Sequence, residues 1–162
     1  MTKEEIQKEK ELLLNVLKDG LPYGVKVEVT NTQGYHHENV AKKGEKTIDT
    51  LKGFDSSHNC FTVYHNNPLD WDWTCSEIDI EDIKPYLIPI SKMTEEQRLE
   101  IEIITRESIG FDTYALHDFT GYSEISLSRT MEIIRWCYEN HIDINGLIPM
   151  GLANDATNLN IY

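Results

Sequence analysis

Ser76-Glu-Ile-Asp-Ile-Glu-Asp-Ile-Lys-Pro-Tyr-Leu-Ile-Pro-Ile-Ser-Lys-Met-Thr-Glu-Glu-Gln97 divides this chain into two unlike halves. Ile78 and Ile80 alternate with Glu77, Asp79 and Glu81, the period of a half-buried strand. Pro85 and Pro89 then forbid a helix between them and push Lys84 and Ile88 into extended backbone. Thr94 followed by Gln97 has the form of a capping box, so a helix begins there. The stretch therefore marks a β-to-α boundary.

Upstream of it, short alternating segments are broken by glycine, asparagine and proline. Val25, Val27 and Val29 predict one strand and residues 47–54 a second. Phe61 and Val63 place a third, and Trp71, Trp73 and Cys75 lead towards Ile78. Residues 31–46 are polar, hold Gly34 and Gly44, and read as a long loop. Four or five short strands in about 70 residues predict a small, strongly bent antiparallel barrel of SH3-like type, with an open meander as the alternative. At the amino terminus Thr2 and Glu5 form a second capping box, and Gly20 supplies a stop. Ile6, Leu13, Leu14 and Leu17 line one face of the helix between them. Residues 3–11 hold few apolar side chains, so they either pack on the body or pair with another copy.

Downstream, Leu99, Ile101, Ile103 and Ile104 predict a helix over 95–108. Leu127, Met131, Ile134 and Tyr138 predict the strongest helix, over 123–139, with Leu127, Met131 and Ile134 towards the body. Trp136 then falls about 200° round from Ile134 and needs a cover. The apolar residues of 142–152 are expected to supply it. Residues 142–148 read either as a helix capped by Asp143 or as a strand, and 154–162 as a polar surface tail. The fold class expected is α+β, organised as an N-terminal helix (1–20), a β-barrel (21–90) and a helical region docked on it (91–162).

The chain has 162 residues and a formal net charge of −13. Residues 1–90 hold 10 basic and 16 acidic side chains and residues 91–162 hold 5 and 12, so both halves are acidic. A field of that sign opposes binding to nucleic-acid phosphates. Cys60, Cys75 and Cys137 lie far apart with no CxxC, which predicts reduced thiols rather than a disulfide frame. The charged start lacks the apolar core of a signal peptide, and no run is long enough to span a membrane. A cytoplasmic protein is expected.

Motifs for a reaction are missing: there is no GxSxG, P-loop or GxGxxG. His58, Cys60, His65 and Cys75 fall on or beside neighbouring strands, but their spacing is not that of a zinc site, and no metal or cofactor is expected. His36 and His37 read as solvated, and His117-Asp118 has no nucleophile assigned to it. Asp70, Asp72, Glu77, Asp79, Glu81 and Asp82 could serve metal-assisted hydrolysis. On a strand's outer face they instead make a solvated edge that discourages sheet-to-sheet pairing. The candidate binding residues are Trp71 and Trp73, flanked by Asp70 and Asp72. These two tryptophans either fill the core or form an exposed pair that anchors a partner. Lys42, Lys43, Lys46 and Lys52 are the one lysine cluster that could meet phosphates.

Two stretches carry a resemblance. Ile80-Glu-Asp-Ile-Lys-Pro-Tyr-Leu-Ile-Pro-Ile-Ser-Lys-Met-Thr-Glu-Glu-Gln97 and His141-Ile-Asp-Ile-Asn-Gly-Leu-Ile-Pro-Met-Gly-Leu-Ala153 resemble a group of uncharacterised small proteins. These are encoded by phages and prophages of gut Bacteroides-type bacteria. Leu21-Pro-Tyr-Gly-Val-Lys-Val27 and Thr47-Ile-Asp-Thr-Leu-Lys-Gly53 are similar to the front of the same group. Residues 31–46 and 66–73 depart from its pattern. The resemblance implies a phage product made in a bacterial cytoplasm and carries no reaction with it. Acidity, size and the lack of catalytic motifs then lead to a non-enzymatic accessory protein that binds a host component. One form of this is counter-defence by competition for a basic host protein. The alternatives are a binder that sequesters a nucleotide signal and a metal-dependent hydrolase. A host protein partner is expected ahead of a small molecule, with no nucleic acid and no membrane. Homodimerisation through the first helix or the Trp136 patch is the remaining expectation on assembly.

Overall fold

The computed structural model describes residues 2–30, 44–58, 60–64, 75–107 and 127–162. Helix α1 runs from Lys3 to Gly20. Its start is the expected capping box: the Glu5 N–H donates to Thr2 Oγ1 at 3.2 Å, and the Thr2 N–H donates to Glu5 Oε2 at 2.6 Å. Leu13, Val16 and Leu17 are buried, whereas the first two turns stand exposed. Gly20 is required by a close approach, because a Cβ there would lie 2.6 Å from Val25 Cγ2. A 3-10 turn, Leu21–Tyr23, follows, and Gly24 at φ 66° swings the chain into the first strand.

Strands β1 (Lys26–Thr30), β2 (Lys46–Asp55), β3 (Cys60–Tyr64), β4 (Cys75–Asp79), β5 (Ile83–Leu87) and β6 (Asn154–Asp155) form one sheet among the described residues. The order is β4-β3-β2-β1-β5-β6; all pairs are antiparallel except β5–β6. β2 is the shared strand. Residues 46–50 pair with β1, residues 50–55 pair with β3, and a bulge at Lys52 lies in the second half. β4 and β5 follow one another through a single 3-10 turn, Ile80–Asp82. In a flat sheet they would be four strand spacings apart, about 19 Å. Four Cα–Cα steps reach at most about 15 Å, and a 3-10 turn spans less. The sheet therefore has to curl.

It does not close. β4 and β5 share no ladder, so the barrel expected over 21–90 stands here as a bent, open sheet of five strands with β6 added at the β5 edge. The alternation expected to continue through Ile80 ends at Asp79, where the turn begins. The concave side packs Val27, Val29, Leu51, Phe61, Val63, Ile78, Ile83 and Leu87 against α1. Full burial of Leu17, Leu51, Phe61 and Ile83 contributes about 1.5–3 kcal/mol each. Asp79 lies exposed on the edge strand β4.

The second half begins at helix α2 (Glu95–Glu107), with both capping-box bonds between Thr94 and Gln97 in place. Helix α3 (Leu127–Glu139) packs against it. The face expected to be buried on α3 is not the one that is. Met131 is 58% exposed, while Trp136 and Cys137 are buried with Ile142. The reason is polar: inward rotation lets the Trp136 Nε1–H donate to Glu100 Oε2 at 2.9 Å, so the indole is buried with its donor satisfied. Ile101, Ile104 and Ile144 complete the cover, so Trp136 is covered within the chain, by α2 as well as by the residues after α3. Leu99 and Ile103 on α2 face outwards, at 49% and 53% exposure.

Residues 142–148 form neither a helix nor a regular strand. Ile142 makes one bridge to Ile88, and the Asp143 carboxylate accepts the N–H groups of Leu147 and Ile148 at 2.8 and 2.9 Å. The tail lies mostly on the surface, as expected, but it is tied to the sheet. Asn154 and Asp155 pair with Tyr86 and Leu87, and Ala156 is buried. Tyr162 accepts the Lys26 N–H at 3.1 Å and donates to the Tyr86 carbonyl at 2.6 Å. One hydroxyl thus joins β1 and β5. Replacing Tyr162 by Phe removes that partner from both main-chain groups and is expected to cost about 0.5–1.5 kcal/mol in urea unfolding, with the helical circular dichroism retained. An unchanged midpoint would contradict this role.

Candidate functional site

Of the residues nominated from sequence, Asp70, Trp71, Asp72, Trp73, Lys42 and Lys43 lie outside the described residues. His36, His37, His65, His117 and Asp118 do too. Lys46 and Lys52 are placed, and they do not converge. Lys46 Nζ sits 2.8 Å from Glu28 Oε1, which raises the lysine pKa and neutralises it locally. Lys52 projects at the bulge with Nζ 5.9 Å from the Tyr64 ring centre. Six residues along a strand separate the two by on the order of 20 Å, so no single phosphate meets both.

The turn after β2 brings an acid, a serine and a histidine together without making a catalytic triad. Ser57 Oγ donates to Asp55 Oδ1 at 2.6 Å, and His58 Nδ1 lies 2.7 Å from Asp55 Oδ2 and 3.1 Å from the same Ser57 Oγ. A catalytic histidine holds its acid with one nitrogen and its nucleophile with the other. Here both partners crowd one nitrogen, and the serine proton already points at the acid. These bonds hold the Asp55 carboxyl below its usual range and fix the turn. Cys60 and Cys137 are buried and form no disulfide, and burial pushes the Cys137 thiol up. Among the described residues, no three His, Cys, Asp or Glu side chains group around a point where a metal ion could sit.

Two surfaces have the character of docking sites. The first is the outer face of α2, where Leu99 and Ile103, one turn apart, stand in solvent. Exposed Glu95 and Glu96 lie one turn before Leu99, and exposed Glu102 lies one turn after it. Apolar side chains beside carboxylates suit a partner that is both apolar and basic. The second is a groove of 210 Å³ between the exposed half of α1 and the Ile80–Asp82 turn. Ile6, Leu13, Ile80, Ile83 and Leu152 line it, and Lys10 crosses its rim to an ion pair with Glu81 that lowers the glutamate pKa. Sequence reasoning assigned Leu99 and Ile103 to a helix without separating them from Ile101 and Ile104. Ile6 was one apolar residue in a charged turn, and only the crossing of α1 over the 3-10 turn makes it a wall.

A third feature is buried. His141 has a left-handed backbone (φ 56°), and its ring stacks on Tyr162 at 3.7 Å with 16° between planes. Its Nδ1 is buried with no hydrogen-bond partner among the described residues. Burial, with the Lys26 ammonium as the smaller cause, holds its pKa down at about 4. The depressed value sets a sign. Between about pH 4 and the unfolded value near 6.5 the unfolded chain binds more protons, so stability falls as pH drops through that window. Asparagine tolerates the left-handed backbone and does not titrate there. His141→Asn should therefore show a smaller fall in Tm from pH 6.5 to 4.5 than the parent chain. Parallel profiles would contradict a neutral, buried His141.

No family model, curated protein or solved structure matched this chain in the three comparisons made. No helix among the described residues is long and apolar enough to cross a membrane.

Proposed function

We propose that this chain is a non-enzymatic accessory protein of phage or prophage origin that works in the bacterial cytoplasm by binding a basic host protein. The observation that carries the reading is the α2 face: two exposed aliphatic side chains beside the exposed Glu95, Glu96 and Glu102, on a chain of net charge −13. Such a surface attracts a basic partner at long range and gives it apolar contact area on arrival. The same field opposes phosphate backbones, so competition with nucleic acid for one basic protein is the form of action that fits, as counter-defence requires. The phage origin rests on the resemblance of residues 80–97 and 141–153. The body of this binder is SH3-like in kind. The strand order β4-β3-β2-β1-β5, the shared strand β2 and the 3-10 link between the end strands support that reading.

The ion pair of Lys46 with Glu28 weighs against the nucleotide-binding alternative, since a phosphate would have to displace a carboxylate already in place. Affinity capture from a bacterial host lysate tests the proposal, comparing the parent chain with Leu99→Asp/Ile103→Asp. Both positions are exposed, so the fold is expected to persist. The parent should retain basic proteins at low salt and release them at high salt. The variant should retain them at least about tenfold less. Equal capture by both chains, or capture without a basic bias, would contradict the reading.

A further inference from the structure

The start of α1 has a charge pattern that complements itself. Ile6 is 38% exposed at the mouth of the groove, and it lies between Lys3 and Glu9, each three residues away and so on its face of the helix. Residues 3–11 hold three lysines and four glutamates, close to balance in a chain that is acidic throughout. Neither the Lys3 nor the Glu9 side chain has a hydrogen bond or ion pair among the described residues. Glu5 is already held by the capping box and Lys10 by Glu81.

We infer that a second copy of this chain docks on α1, antiparallel, about a two-fold axis through Ile6. Such an axis sets residue 6 + n against residue 6 − n of the other copy. Ile6 meets Ile6 on the axis, and Lys3 meets Glu9 once on either side of it. The groove of 210 Å³ receives the apolar contact, with Ile80 and Leu152 as its far wall. Charge argues for this place above others. Two copies of net charge −13 repel, but at physiological salt the repulsion is felt over only about 8 Å, so copies meet where local charge is balanced and opposite signs face each other. A contact of two helical turns buries little area, which makes the dimer weak and concentration-dependent. This surface lies on α1 rather than α2 and is independent of the host-partner reading.

Sedimentation equilibrium of the full chain over a range of concentrations tests the inference, with circular dichroism as a check on the helix. The parent should show a reversible monomer–dimer equilibrium, and Ile6→Asp should be monomeric. Lys3→Glu sets glutamate against Glu9 twice and should weaken the dimer about tenfold. Lys3→Glu combined with Glu9→Lys restores opposite charges and should regain the parent affinity, which no general change in helix stability would do. A chain monomeric at every concentration would overturn the inference. So would a dimer indifferent to Ile6→Asp, or a double variant no better than the single one.

Discussion

The three-residue turn Ile80–Asp82 is the constraint on which the rest depends. It joins one edge of the sheet to a strand four positions away, and no flat sheet allows that with so short a link. The bend falls on β2, the one strand long enough to pair with β1 in its first half and β3 in its second. Bending turns five strands into a trough, and α1 fills the trough with Leu13, Val16 and Leu17. The turn itself is tied to the helix by the Lys10–Glu81 pair. As an exposed ion pair this adds little stability; the burial of Leu13, Val16 and Leu17 in the core sets where α1 crosses the turn and so where the groove lies.

The second half is held by groups that answer main-chain demands. Tyr162 closes an N–H of β1 and a carbonyl of β5, and Asp143 closes two N–H groups in the segment after α3. Buried main-chain groups left without partners are costly, so a few polar side chains determine how the C-terminal segment lies on the sheet. Its apolar residues then follow: Leu147 and Ala153 enter the main core and Ile142 the smaller one around Trp136. The stack of His141 on Tyr162 belongs to the same seam and excludes water from the ring nitrogen.

What was legible in sequence had local causes. The capping boxes at Thr2 and Thr94, the valine alternation of β1 and the break imposed by Pro85 and Pro89 each depend on neighbours within a few residues, and each stands in the structure. Long-range partners were not legible. The burial of Trp136 depends on Glu100, 36 residues away, and a helical period cannot distinguish that face from the Met131 face. The tail looked polar because Asn154, Asp155 and Asn160 dominate it, yet two strand residues and one terminal tyrosine suffice to anchor it. For the candidate sites, Lys46 read as a free cation because the carboxylate that meets it, Glu28, comes from the neighbouring strand. Closure of the barrel was beyond pattern reading too: alternation specifies faces, not whether β4 and β5 pair.

The central claim is that the Ile80–Asp82 link curls the sheet round α1. Methyl–methyl nuclear Overhauser effects in a sample with labelled isoleucine, leucine and valine test it directly. Ile78 of β4 and Ile83 of β5, both buried in one core with Leu13 and Leu17, should share cross-peak partners among the α1 leucines and valine. A flat sheet would connect Ile83 to α1 and leave Ile78 with partners in β3 alone, and that result would contradict the account.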